Sequence, residues 1–220
     1  MVASSATART LRQVASRCSG EPQSAILGVL HPPILRILAD GRPATVDELA
    51  AVTSRPAEQI AEMLRRIDPI ELGADGSVLG LGLTLVPTAH RVELPGRQRL
   101  VYVWCAPDAV ILPSAIGESA RVTSPCHATN RHVTVELSTD ALVSVDPPTA
   151  VVSFVVSPDR ADLRGTGCEH QNLFASAEAA AGWLAAHPDS EVIPVAQAFG
   201  LLVEAIHACG LDIGSVSEHD

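Results

Sequence analysis

The chain has 220 residues, 47% of them hydrophobic and 18% charged, which is enough apolar material for a buried core and argues against wholesale disorder. Aromatic residues make up only 3%, so Val, Leu, Ile and Ala must fill that core. All 15 basic residues are arginines and the net charge is −10, which lacks the electrostatic footprint of a protein that binds a phosphate backbone.

Residues 1–20 are small and polar and carry three arginines without an apolar h-region. They are expected to form a flexible N-terminal arm, not a secretory leader. No later stretch approaches the roughly 18 unbroken apolar residues of a membrane span, so the expected location is the cytoplasm, with neither membrane nor nucleic acid as a partner. Residues 24–39 place apolar side chains at helical spacing but are interrupted by Pro32 and Pro33, which predicts two helices with a break at that pair. Two short helices follow. Thr45 and Glu48 form a capping box for the first, and Ser54 is the expected cap of the second, with Pro56 near its start. The Gly-punctuated segment over residues 71–87 predicts a β-hairpin with Asp75-Gly76 at its turn. Three helical segments followed by a hairpin is the order of a winged-helix module, assigned to residues 21–95.

Beyond Pro95-Gly96 the pattern changes to strands. Residues 99–105 predict one strand, and residues 118–125 with 132–138 a pair turning near residues 127–131. Residues 149–157 form a near-continuous apolar run, as in a strand covered on both faces. An alanine-rich helix capped by Ser176 and a final helix stopping at Gly210 complete the chain. The whole is an α+β protein, with residues 96–220 forming a mostly antiparallel sheet packed by helices.

An odd number of cysteines, five in all, is not the disulfide framework of a small secreted domain. Each is therefore read by its context. Cys105 ends a strand, and Pro107 belongs in the first turn of the following helix. The helix N-terminus there favours a thiolate and is expected to lower the Cys105 pKa. Asp108, three residues on, can share the face of that first turn, which makes a thiol–carboxylate proton-transfer pair. The bland alternative is a buried cysteine and a helix-stabilising aspartate. Cys168 lies in a short polar loop between the buried strand and the alanine-rich helix, a place where functional residues concentrate. The run Cys168-Glu169-His170 lacks the paired spacing of a zinc site, and by itself it leaves reactive and structural readings open. Cys126 precedes a strand turn and reads as structural, while Cys18 and Cys209 have no chemical context.

The order Trp104-Cys105-Ala106-x-Asp108, then Ser124-Pro125-Cys126, then Cys168-x-His170, then Phe174-Ala175-Ser176-Ala177-Glu178-Ala179-Ala180 with Trp183-Leu184, resembles the bacterial alkylmercury (organomercurial) lyases. The resemblance extends over most of the chain, since that family also carries a winged-helix-like N-terminal domain. It implies a catalytic domain over residues 96–220 that cleaves carbon–mercury bonds. Cys105 and Cys168 are then the mercury-binding thiols, Asp108 the acid–base residue, and Cys126 a structural cysteine. It further implies no organic cofactor, a product Hg(II) held by Cys105 and Cys168 with an Asp108 oxygen, release to low-molecular-weight thiols, and a mercuric reductase as acceptor. Pro107, Gly167 and Glu169 depart from the residues common in the family and bear on pocket shape, local charge and substrate range.

The competing reading is a thiol-based metal or redox sensor whose winged-helix module reports to DNA. Charge separates the two. Residues 21–90 hold five arginines (Arg36, Arg42, Arg55, Arg65, Arg66) against nine carboxylates, and the candidate recognition helix carries Glu58 and Glu62. A surface that faces phosphates requires the opposite balance.

Overall fold

A computed structural model describes residues 22–155 and 163–208. The expected arm over residues 1–20, Cys18, Cys209 and the helix stop at Gly210 lie outside the described residues. The first helix, α1 (Pro22–Ala39), runs unbroken through Pro32 and Pro33, which corrects the expected break at that pair. Leu30, Ile34, Leu35 and Leu38 on α1 are fully buried. Each gains roughly 1.5–3 kcal/mol by leaving water, which offsets a cost of about 3 kcal/mol for an interior proline.

Helix α2 (Val46–Thr53) starts as expected, with Thr45 accepting from the Glu48 backbone N–H and the Glu48 side chain closing the capping box. Ser54 does not cap the next helix. It terminates α2 in the left-handed conformation, φ 52°, with its N–H turned back to the last carbonyls of that helix. Helix α3 (Ala57–Arg65) begins after Pro56 without a side-chain cap, since proline brings a preset φ and has no N–H of its own to satisfy.

The strands that follow are β1 (Glu71–Leu72), β2 (Val78–Leu81), β3 (Leu83–Thr84), β4 (His90–Leu94) and β5 (Arg99–Val103). Helix α4 (Ala106–Ala115) comes next, then β6 (Ala120–Pro125), β7 (His132–Leu137), β8 (Leu142–Asp146) and β9 (Val151–Val155). The short helix α5 (Leu163–Thr166), β10 (Leu173–Phe174), α6 (Ala181–Ala186), β11 (Ser190–Pro194) and α7 (Val195–Ala208) complete the described chain. The first eight strands form one antiparallel sheet in the order β1-β2-β3-β5-β4-β6-β7-β8, and β9 is the middle of a second, three-stranded sheet, β10-β9-β11. Residues 71–84 do form the expected hairpin, with Gly76 at φ +80° in its turn. Its second strand turns at Gly82 into β3, which pairs antiparallel with β2 on one side and β5 on the other, so the strands of the N-terminal module extend the sheet that carries Cys105.

The alternation of buried and exposed residues along β4 and β6 sends Val92, Leu94, Ala120 and Val122 into the core. Four of the five residues of β9 are buried, in keeping with the unbroken apolar run. The alanine-rich helix is shorter than expected. Ser176 caps a preceding turn by accepting from the Ala179 N–H at 3.1 Å, and α6 begins only at Ala181. Among the described residues no helix is long and apolar enough to cross a membrane.

Candidate active site

The site forms where the two sheets meet, at the strand-to-helix junction after β5. The Trp104 N–H donates to the Gly82 carbonyl at 2.9 Å, which carries the β3–β5 pairing one residue past the strand. The Cys105 carbonyl then accepts from the Ala109 N–H at 3.0 Å and opens α4. Cys105 therefore sits at the helix entrance and is 3% exposed. Asp108 lies one turn along, and the Cys105 thiol donates to Asp108 Oδ2 at 3.2 Å. Gly82, at φ +78°, underlies this pair. A Cβ there would stand 2.9 Å from Leu112 Cδ1 and 3.6 Å from Asp108 Oδ1, so the close approach of the β2–β3 turn to α4 requires glycine.

Cys168 arrives from the second sheet. It starts a turn of 3₁₀-helix, Cys168–His170, and is half-buried. The next residues are pinned by a set of short bonds. The Ala106 N–H donates to the Gln171 carbonyl at 3.0 Å, and the Ser153 N–H to the Asn172 carbonyl at 2.9 Å. The buried Ser153 hydroxyl donates to the His170 carbonyl at 3.0 Å and accepts from the Asn172 N–H at 2.8 Å. These bonds tie the Cys168 turn to β9 on one side and to the head of α4 on the other. The Cys168 thiol is thereby brought beside Cys105, close enough to perturb its titration. Cys105, Asp108 and Cys168, singled out from sequence, thus meet in one cluster with Cys105 in the middle.

The electrostatics reverse one expectation. The Cys105 pKa is raised well above that of an ordinary thiol, first by the hydrogen bond with Cys168, then by burial, then by the negative charge of Asp108. The helix entrance does contribute, since the Asp108 backbone N–H lowers the value, but it is outweighed. Another of the amides at that entrance, that of Ala106, is taken by the Gln171 carbonyl. Burial pushes the Asp108 carboxyl up to about 6, held back by hydrogen bonds from the Cys105 side chain and backbone. At neutral pH the resting arrangement is a thiol proton aimed at a carboxylate that is itself a moderate base. Among the described residues no three His, Cys, Asp or Glu side chains form a ready-made metal cage.

Cys126 stands apart, fully buried at the end of β6. Burial raises its pKa, but hydrogen bonds from the Thr129 hydroxyl and from the backbone N–H groups of Ala175, Ala128 and Thr129 outweigh this and leave it below the usual thiol value. Its own N–H donates to the Arg131 carbonyl at 2.7 Å. These contacts brace the β6–β7 turn against the strand that follows the Cys168 turn. Ser153 was not singled out from sequence. Its signal was a lone hydroxyl within an apolar run, a group that burial obliges to find partners.

Comparison with known proteins identifies the family. The model of the alkylmercury lyase family matches residues 83–206. The chain belongs to the alkylmercury lyase family. The preceding residues of the lyase, 10–82, match the helix-turn-helix domain of alkylmercury lyase. The alkylmercury lyase of Staphylococcus epidermidis is 43% identical over 172 residues, covering 78% of this chain and 79% of its own. That of Streptomyces lividans is 42% identical over 180 residues, or 80% and 83% of the two chains, and that of Pseudomonas putida 35% over 190 residues, or 86% and 89%. The crystal structure of the mercury-bound form of MerB2 shares the fold, with a TM-score of 0.71 over 92% of this lyase and 98% of that chain at 23% identity.

Proposed function

We propose that this lyase cleaves the carbon–mercury bond by protonolysis, with Cys105 and Cys168 as the metal-binding thiols and Asp108 as the proton carrier. The observation that carries the reading is the Cys105 thiol donating to the Asp108 carboxylate at 3.2 Å with the Cys168 thiol beside it. Mercury(II) is a soft ion and thiolate is the soft ligand available to proteins. The substrate enters as an organomercury thiolate. The Cys105 sulfur displaces the incoming thiolate, which departs as thiol with the Cys105 proton. Asp108 then accepts the proton of Cys168, and the second thiolate binds the metal. Two thiolates push electron density through mercury onto the carbon. Asp108 delivers its proton there, the hydrocarbon R–H leaves, and Hg(II) stays on Cys105 and Cys168, with an Asp108 oxygen nearby.

The proton balance closes, since one thiol proton becomes the new C–H and Asp108 returns to carboxylate. A carboxyl near pH 6 suits both halves of the cycle, being ionised enough to accept at neutral pH and acidic enough to donate. The scheme needs no organic cofactor. Product release requires external low-molecular-weight thiols, which places the reaction in the reducing cytoplasm, and a mercuric reductase is the acceptor this product calls for. A DNA-reporting sensor is disfavoured by the acidic N-terminal module and by the engagement of its hairpin in the main sheet.

The test is to incubate the purified protein with a phenylmercury salt and excess thiol and to measure benzene. Stoichiometric benzene, with Hg(II) remaining on the protein until thiol removes it, is the expected result. A folded protein that binds phenylmercury and releases no benzene overturns the reading.

A further inference from the structure

A second cluster, built from both modules, joins residues that neighbour the two cysteines in the chain. Glu71, on β1 of the N-terminal module, is only 14% exposed at its side chain and pairs with Arg164 at 2.5 Å. The Thr84 hydroxyl donates to the same carboxylate. The buried Trp104 indole N–H faces it too, without closing a full hydrogen bond. Burial raises the Glu71 pKa, but these three donors more than offset it, and the carboxyl is held below its usual value. Arg164 also lies over the Trp104 ring, with the guanidinium carbon 4.7 Å from the ring centroid. Trp104 immediately precedes Cys105, and Arg164 precedes Cys168 by four residues.

Room for this arrangement is made by Gly80, the residue opposite Glu71 in the β1–β2 pair. A Cβ at Gly80 would overlap the Glu71 carboxylate and stand 2.8 Å from Thr84 Cβ. A strand glycine of this kind marks a close approach, and here what approaches is a charged side chain lying across β2 to reach Thr84 and Arg164.

We propose that Glu71 is a positioning residue, which through Arg164 sets the distance between the Cys168 and Cys105 thiols, so that the helix-turn-helix module supplies part of the frame of the active site. On the C-terminal side, the Cys168 turn is held by backbone bonds to Ala106 and Ser153. On the N-terminal side, the Glu71–Arg164 pair anchors α5. Glu71 touches neither thiol and moves no proton; it acts on where the second sulfur stands when the metal is on the first. The inference rests on the two-thiol reading above.

Glu71→Gln keeps the side-chain shape and removes the charge that holds Arg164. Partners one shell out from a metal ligand are typically worth about 10–100-fold in metal affinity or activity. The expected result is a folded variant whose single-turnover release of benzene is slowed about tenfold or more, with KM for phenylmercury little changed because the first thiol is untouched. A readout independent of turnover is capture of phenylarsine oxide, which must bridge two thiols; its affinity is expected to fall by a similar factor. Glu71→Asp, which keeps the charge, is expected to recover part of both. If Glu71→Gln does not fold, Thr84→Val, which removes one donor and leaves the carboxylate, is read by the same two measurements. Parental benzene release together with parental arsenical capture in a folded variant overturns the proposal. Failure of the parent protein itself to release benzene overturns the lyase reading instead, and arsenical capture still reports whether Glu71 sets the thiol spacing.

Discussion

Asp108→Asn is the substitution that most sharply separates binding from chemistry. Asparagine preserves the size of the side chain and can still accept the Cys105 hydrogen bond now made at 3.2 Å, but it can neither take a thiol proton nor return one to carbon. Loss of a positioned acid–base group typically costs about 10²–10⁴ in rate, or roughly 3–5 kcal/mol of barrier. Benzene release from phenylmercury should fall by that factor, while titration with Hg(II) should still show both thiols binding. Two further signs follow from the electrostatics. The Asp108 charge is one of the causes that raise the Cys105 pKa, so its removal should move alkylation of Cys105 to lower pH. The folded carboxyl, at about 6, binds its proton more tightly than an unfolded one, so its ionisation makes the native state less stable as pH rises between about 4 and 6. The neutral variant escapes that cost and should be more stable than the parent at pH 7, by up to about 3 kcal/mol. Benzene production at the parental rate would refute the assignment of Asp108 as proton carrier. Equal thermal stability of the two proteins at pH 7 would refute the argument that burial raises its pKa.

Cys126→Ser should lower the melting temperature more than the turnover, because its partners brace the β6–β7 turn; loss of turnover in a fully folded variant would place Cys126 in the chemistry. Gly82→Ala puts a Cβ against Leu112 and beside Asp108 at φ +78°. It should cost on the order of 1–3 kcal/mol in denaturant unfolding and slow benzene release, whereas a stable, fully active variant would show that the turn can yield. Burial lowers the pKa of both His31 and His90 to about 4, so the unfolded chain binds their protons first. The contribution of these two histidines to stability should therefore be fully present above about pH 6.5 and be lost as pH falls toward 4, opposite in sign to that of Asp108. Replacing His90 by Gln should flatten the dependence of melting temperature on pH over that window, and an unchanged slope would argue against the burial of a neutral imidazole there.

Local chemistry was legible where the local chain decides it. The Thr45–Glu48 capping box, the Asp75-Gly76 turn and the strand-to-helix junction at Cys105 need only neighbours in sequence, and each is found in the structure. The misreadings arose where distant packing overrides local preference. Two prolines that should break α1 are carried through it by the burial of Leu30, Ile34, Leu35 and Leu38. Ser54 looks like an N-cap yet closes the preceding helix, because Pro56 starts the next one without a cap. The order of the eight-stranded sheet depends on pairings such as Leu83 with Val103 and Arg91 with Thr123, for which no periodicity contains a signal. The approach of Cys168 to Cys105 is of the same kind. It runs through the Gln171 carbonyl on the Ala106 N–H and the Ser153 hydroxyl on the Cys168 turn, contacts between elements far apart in sequence.

The thiol pKa shows why a reading that is right about neighbours can be wrong about sign. A helix entrance lowers a cysteine pKa when its amides are free to face the sulfur and solvent can screen the rest. Here one of those amides serves the Cys168 turn, the sulfur is 3% exposed, and a carboxylate and a second thiol stand beside it. Each of these favours the neutral form, and together they exceed the contribution of the single Asp108 amide. The same burial lifts Asp108 toward neutrality, which narrows the gap between the carboxyl and the protons it must exchange. A standing thiolate at Cys105 would bind mercury faster; the buried thiol instead keeps its proton until the metal displaces it, and in the scheme proposed above that proton leaves with the incoming thiolate while Cys168 supplies the one that Asp108 hands to carbon.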